Sequence, residues 1–406
     1  MKKIRKMLVG LLAISLLLCG CQKEAAQTTE ATPTAVPEGE LSEVVIEGMT
    51  KDIVSGMTLR EKIGQLFIVN LELLDGNQGN YYEHQEFTEE MAARLNLYKP
   101  GGVIFFSRNM TDREQTQKLI SDLQANSGIP MFISVDEEGG NVARIANNTN
   151  MRTTQFPTPE VIGAIKDEEY VYNMGATIGS EIKELGFNLN FAPVADVKTN
   201  NFNTEIGDRS FGSDSKLVAA FVEQMVKGMQ EQEISATLKH FPGHGDAGSD
   251  SHQGPVNVEN DLNRLRKVEF IPFRAGIEAG VDCVMITHLS VSRVTGSVEP
   301  ASMSSLIVKQ ILREEMGFEG IAITDAMDMG AITEVYTSGE AAVKAIKAGI
   351  DVVLMPVDYD EAYNAVLEAV HEGKISEERI NESVSRIIHT KVKRGVIPVD
   401  TDLIEE

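Results

Sequence analysis

Cysteine, cationic side chains and long apolar runs are all in short supply in this 406-residue chain. Of its three cysteines, Cys19 lies at the end of an N-terminal leader, Cys21 directly follows that leader, and Cys283 sits inside an apolar run. No internal disulfide is therefore expected to staple the fold. Lysine and arginine number 37 against 61 acidic residues, a formal net charge of −24. That balance excludes nucleic acid and anionic lipid surfaces as the natural partner of the body of the chain, and it is silent about a neutral ligand. The apolar run at residues 7–18 falls short of the ~20 residues that carry a helix across a bilayer. Nor does any Pro/Gly/Ser-rich linker interrupt the chain after residue 40, which argues for one domain there.

What is present at the N-terminus is a processing signal. Lys2, Lys3, Arg5 and Lys6 form a basic head in front of the apolar run, the layout of an export leader. Leu18-Cys19-Gly20-Cys21 resembles the lipobox of bacterial lipoproteins, which implies lipidation at Cys21 and attachment to a membrane outside the cytoplasm. Removing residues 1–20 takes the four cations away and leaves 33 against 61 acids, a formal charge of −28. Residues 21–40 are rich in Thr, Ala, Glu and Pro and too poor in large apolar side chains to offset their ordering entropy. They read as a flexible tether.

From residue 41 onward apolar runs alternate with helical patterns. Eight runs read as strands, at 65–70, 102–106, 131–135, 189–194, 236–240, 282–287, 320–324 and 351–355. Several are continuous Val/Ile/Leu/Phe stretches, as expected of strands covered on both faces. Helical spacing falls between them, at 111–125, 215–230, 262–279, 304–316, 339–348, 359–371 and 376–393. Eight strand–helix repeats predict an α/β fold, a (β/α)8 barrel of the TIM type forming a single catalytic domain over residues 41–406. A doubly wound sheet is the structural alternative.

In such folds chemistry collects at the carboxyl ends of the strands. The third run leads into Asp136-Glu137-Glu138-Gly139-Gly140-Asn141-Val142-Ala143-Arg144, and the fourth into Asp196 and then Gly207-Asp208-Arg209-Ser210-Phe211. The fifth leads into Lys239-His240-Phe241-Pro242-Gly243-His244-Gly245-Asp246-Ala247-Gly248-Ser249-Asp250-Ser251-His252, which crowds three histidines and three glycines into fourteen positions. The seventh ends Thr324-Asp325-Ala326-Met327-Asp328.

Together these motifs resemble glycoside hydrolase family 3, in its β-N-acetylhexosaminidase branch, over roughly residues 57–392. The pairing of Lys-His-Phe-Pro-Gly-His-Gly with Asp-Ser-His is specific to that branch. Glu137 stands where many relatives have Gln and Asn141 where many have Arg, departures that bear on substrate preference. The resemblance implies a retaining exo-enzyme that removes terminal β-linked N-acetylglucosamine, many members working in peptidoglycan turnover and some relatives using phosphate as acceptor. Neither cofactor nor metal is implied. The residues after Met355 are too few for the additional C-terminal domain that some members carry.

Retaining hydrolysis needs a nucleophile on one side of the anomeric carbon and a proton donor on the other. The resemblance and the strand end make Asp325 the nucleophile, with a helix N-cap as its other reading and Asp328 as the fallback. The resemblance supports His252 as the acid/base with Asp250 as its orienting partner, a carboxylate that sets the tautomer and favours imidazolium. A mobile glycine-rich loop would suit the delivery of His252. Asp136, Arg144, Arg209, Lys239 and His240 look like the family's sugar-binding set, whose charged groups can hold several hydroxyls. Asp208 is expected to orient Arg209, and Cys283 to be core. His240 and His244 could instead be structural, and His288 stays open between ligand contact and packing.

Two other classes compete. His240, His244, Asp246, Asp250 and His252 have ligand-type atoms for a metal-dependent hydrolase, although Pro242 and Gly243 break the helix that the common zinc motif requires. A non-enzymatic sugar-binding lipoprotein fits export but not an eightfold repeat. Oligomeric state and natural glycan are not legible.

Overall fold

The computed structural model describes residues 41–77 and 82–399. The leader, Cys21 and the tether lie outside the described residues. From Leu41 the chain forms one unit. All eight expected strands are present: β1 (Phe67–Asn70), β2 (Gly102–Ile104), β3 (Phe132–Val135), β4 (Leu189–Asn190), β5 (Ser235–Phe241), β6 (Cys283–Ile286), β7 (Ile321–Thr324) and β8 (Val353–Leu354). Each pairs in parallel with its neighbour in sequence, β8 pairs with β1, and a parallel bridge between Ile323 and Val352 closes the ring. The (β/α)8 barrel is the observed fold, and the doubly wound sheet is set aside by that closure.

The strands are apolar on both faces because both are covered. Ile68, Ile104, Phe132, Leu189, Met285, Ile321, Ile323 and Leu354 fill the barrel with Cys283, a buried core residue as expected. Outside, helices lay apolar stripes on the sheet. The helix Ser215–Gln230, capped by Asp214, buries Val218, Phe221, Val222, Met225 and Met229. Fully burying side chains of this size stabilises by ~1.5–3 kcal/mol each.

The final helix, Glu377–Lys393, starts at Ser376, whose hydroxyl accepts from the Arg379 amide at 3.2 Å. Its Ile387 joins the barrel core. Nearby, fully buried Asp351 just before β8 gathers Arg313, Arg386 and Ser383 at 2.5, 3.1 and 2.6 Å. Lys391 is equally buried, donating to Gln65 Oε1 at 2.7 Å and lying 5.1 Å from the Phe132 ring centroid. Burial pulls its ammonium down to about 7.

One expectation needs refinement. The stretch 262–279 is two helices, Leu262–Lys267 and Phe270–Glu278. Pro272 has no N–H, and its ring crowds the carbonyl four residues back, at Val268, where the break falls. After β3 the chain makes a small antiparallel ribbon, Glu137–Gly139 with Val142–Ala143, turned at Gly139 and Gly140 with φ of 93° and 63°. Among the described residues no helix is long and apolar enough to cross a membrane.

Candidate active site

A cavity of about 520 Å³ opens at the carboxyl ends of the strands, lined among others by Asp136, Arg144, Arg209, Lys239, His240, His252 and Asp325. The barrel therefore brings together residues spread over nearly two hundred positions of sequence. Asp250 stands one contact behind, on His252.

The ribbon after β3 supplies the anionic floor. Its base is stapled by Asn190 of β4, whose amide accepts from the Glu137 N–H and donates to the Glu137 carbonyl, both at 2.9 Å. The Glu137 carboxyl accepts from the Ile145 and Ala146 amides at 2.7 and 3.1 Å. Burial outweighs those bonds and raises it to about 7. Glu137 is thus a brace for the ribbon rather than a cavity residue, and both of its oxygens are used.

Glu138, which the sequence reading left without a role, is the hub of the floor. It holds Arg209 by two bonds, 2.9 Å to Nε and 2.8 Å to Nη2, and accepts Lys239 Nζ at 2.7 Å. Lys239 also reaches Asp136 at 2.7 Å. Burial works against the charge on Glu138, but Arg209 and Lys239 overcome it and hold the carboxyl down at about 2. Lys239 is raised in turn: burial opposes its charge, and Asp136 and Glu138 more than compensate. Both cations stay charged with fixed N–H directions, which suits recognition of several hydroxyls. Arg144 completes the wall; its Nε is buried without a partner.

His240 projects from β5 and is fixed from behind. Asp196, fully buried beyond β4, accepts from His240 Nδ1 at 2.7 Å and from the His240 and His244 amides at 3.1 and 2.5 Å. The carboxylate makes Nδ1 the protonated nitrogen and turns Nε2 toward Arg209, 3.4 Å away. Burial would raise Asp196, yet the imidazoles of His240 and His244 and these hydrogen bonds lower it.

Two glycines of the fourteen-residue stretch serve packing. A Cβ on Gly245 would sit 2.0 Å from the Val197 carbonyl oxygen, and one on Gly243, at φ 126°, would meet Glu269 at 2.6 Å. His244 is structural, its Nε2 against the Ser251 hydroxyl at 3.1 Å. So is His288: Nε2 donates to the Ala326 carbonyl at 3.0 Å, and Nδ1 meets Ser302 at 2.9 Å.

Asp325 follows β7 directly. One carboxyl oxygen accepts from the Ala326 amide at 2.8 Å. Burial alone would raise this carboxyl; the neighbouring His240 and His288, the Ala326 amide and Lys239 together bring it below the usual range. Asp328 goes the other way, raised by burial and by Asp325 beside it. Two carboxyls at one strand end are thereby separated, with Asp325 the more acidic.

His252 faces the cavity from the other side. Its Nδ1 lies 2.9 Å from Asp250 Oδ1, which also accepts its backbone N–H at 2.8 Å. A second carboxylate, Glu205 on the loop after β4, lies 3.3 Å from the same nitrogen. Led by Glu205, and against partial desolvation, these acids raise His252 to about 9. A proton-bearing imidazole and an ionised carboxylate thus share one cavity, which provides for proton donation and nucleophilic attack.

Some sequence expectations are corrected. Asp208 does not orient Arg209; it accepts from the Asn141 amide at 2.7 Å, while Arg209 turns to Glu138 and Glu205, where its charge is better compensated. The five residues of the rival metal reading are not drawn together as one cluster. His240 is committed to Asp196, His244 to Ser251, and Asp246 accepts from Thr199 at 2.8 Å. Among the described residues, Glu205, Asp250 and His252 form the one group whose ligand-type atoms lie within 4.8 Å of each other. Glu205 carried no motif signal, lying four residues before Arg209 in a long loop.

A parallel barrel with this cavity at its carboxyl end has the layout of a barrel enzyme. Residues 58–390 match the N-terminal domain of glycosyl hydrolase family 3, and the chain belongs to that family. It is similar to beta-hexosaminidase A of Pseudoalteromonas piscicida, 33% identical over 332 residues covering 75% of this chain and 55% of the relative. It is also similar to a beta-hexosaminidase of Stenotrophomonas maltophilia, 36% identical over 276 residues covering 65% of this chain and 79% of the relative. A solved family 3 beta-N-acetylglucosaminidase from Paenibacillus superposes with a TM-score of 0.78 at 37% identity, over 84% of this chain and 63% of that one. The chain thus spans little more than half the length of some of the proteins it matches.

Proposed function

We propose that the chain is a retaining exo-β-N-acetylglucosaminidase that removes terminal β-linked N-acetylglucosamine, with peptidoglycan fragments as the source. The observation that carries this reading is the shared cavity of Asp325 and His252, one lowered below the usual carboxylate range and the other raised to about 9. The names of the similar proteins supply the sugar.

In this mechanism an oxygen of Asp325 attacks the anomeric carbon while His252 Nε2–H gives its proton to the departing glycosidic oxygen. The C–O bond breaks, the aglycone leaves as an alcohol, and the sugar is held as an ester of Asp325. His252, now neutral, takes a proton from water, which displaces Asp325 and regenerates both groups. Asp136, Arg144, Arg209, Lys239 and His240 bind hydroxyls and hold the ring against Asp325. Asp250 sets the His252 tautomer. The leader and Cys21 support a lipid-anchored enzyme outside the cytoplasm.

The test is to trap the intermediate with a fluorinated N-acetylglucosaminide that glycosylates faster than it hydrolyses. Mass spectrometry of the digest should find the sugar on the peptide holding Asp325. An adduct on another side chain, or no turnover of any aryl β-N-acetylglucosaminide, would overturn the reading.

A further inference from the structure

We propose that Glu205 is a positioning residue that latches the His252 imidazole over the cavity. The inference rests on the reading of His252 as proton donor and adds to it a residue outside the Asp250–His252 pair.

Asp250 and His252 belong to one loop, so their contact orients the ring within that loop without tying it to the barrel. The loop after β4 runs alongside and makes the ties. Thr199 Oγ1 donates to Asp246 at 2.8 Å, Asn200 Nδ2 to the Ala247 carbonyl at 3.0 Å, and Asn203 Nδ2 to the His244 carbonyl at 2.7 Å. All three reach the middle of the glycine-rich stretch, at residues 244–247. Glu205 continues the series to the end of the stretch, its Oε1 3.3 Å from His252 Nδ1. Among the described residues it is the one polar partner the His252 side chain has outside its own loop.

The latch is braced from below. Arg209 Nη1 donates to the Glu205 carbonyl at 3.1 Å and to Oε1 at 3.3 Å, and Arg209 is itself gripped by Glu138. The connection runs barrel floor, Glu138, Arg209, Glu205, His252. With its side chain 55% exposed, His252 receives little packing of its own, whereas Glu205 is 17% exposed. A half-exposed ring without such a tie samples several rotamers, and misplacement of about 1 Å can cost on the order of 10²-fold in rate. The ionisable groups facing the ring are Asp250 on its own loop, Glu205 beside Arg209, Asp325 and Asp328 after β7, and His288 after β6.

The experiment compares the full enzyme with Glu205→Ala, Glu205→Gln and His252→Ala on a dinitrophenyl N-acetylglucosaminide and an unactivated N-acetylglucosamine disaccharide, from pH 5 to 10. Glu205→Ala should lose about tenfold in kcat on the disaccharide and much less on the aryl substrate, which needs little proton donation. The alkaline limb of kcat/KM should move toward acid by about one pH unit, because one anion no longer favours the imidazolium. Glu205→Gln can still accept the Nδ1–H, so it should recover part of the rate but leave the limb displaced. It carries the test should the alanine variant fold poorly. Equal losses on both substrates with an unmoved limb would overturn the role of Glu205. If His252→Ala itself shows no difference between substrates, the donor reading fails instead, and the latch with it.

Discussion

Replacing Glu138 with glutamine tests whether the cavity floor is held by the charge of this one carboxylate. The group is 1% exposed, with Arg209 and Lys239 on it at 2.7–2.9 Å. Its pKa falls from 4.5 to about 2 because the two cations outweigh the burial cost. At about 1.36 kcal/mol for each tenfold change in proton affinity, that fall corresponds to roughly 3 kcal/mol of folding stability. A folded pKa below the unfolded one means this contribution is complete above pH 4.5 and is lost as pH falls through about 2. Glutamine has the size of glutamate but neutralises the charge and presents N–H donors to two cations. Breaking a buried pair from one side costs about 3–5 kcal/mol, in agreement with the linkage figure. Denaturant unfolding at pH 7 should show Glu138→Gln less stable by about 3 kcal/mol, and the gap should narrow to about 2 kcal/mol at pH 3.5. With Lys239 and Arg209 no longer held in register, kcat/KM on an aryl N-acetylglucosaminide should fall on the order of 10²-fold. Matching unfolding curves at pH 7, or a gap that widens in acid, would refute the reasoning. A destabilised variant with unchanged kcat/KM would show that the floor is scaffold and not binding surface.

Lys391→Met should reveal a buried charge that opposes folding. Its ammonium is lowered from 10.5 to about 7, so the wild type gains stability as pH rises from about 7 to 10.5, by roughly 4–5 kcal/mol in total. Methionine removes that dependence but leaves Gln65 Oε1 without its donor, at about 1–3 kcal/mol. The variant should therefore be more stable near pH 6.5 and lose that advantage by pH 9.5; a pH-independent difference between the two unfolding curves would count against a buried unpaired ammonium. Asp325→Ala should abolish turnover while leaving the unfolding midpoint near that of wild type, and a wild-type rate would remove it from the mechanism. Cys21→Ser, expressed with the native leader, should move the protein from the membrane fraction to the soluble one; persistent membrane attachment would refute lipidation there.

The eight strands and the barrel were legible because continuous apolar runs at 102–106 or 320–324 suit strands covered on both faces, whatever covers them. Asp325, Lys239 and His240 were legible because a polar residue ending such a run has the cavity as its natural outlet. The ribbon after β3 was less so: its two glycines mark a turn, but its pairing depends on Asn190 from another strand. Glu138, Asp196 and Glu205 were not assigned roles in advance. Nothing local distinguishes Glu138 from Glu137, yet one carries two cations and the other caps backbone amides.

The sequence by itself determined the order of strands and helices, the strand ends that carry chemistry, and the kinship with family 3. Tertiary structure alone decided which carboxylate meets which cation: Arg209 with Glu138 and not Asp208, His240 with Asp196, His252 with Glu205 as well as Asp250. The reason is physical. Apolar periodicity is a local property set by neighbours along the chain, whereas the strength of an ion pair depends on how fully water is excluded around both partners, and that is known only once the barrel has closed.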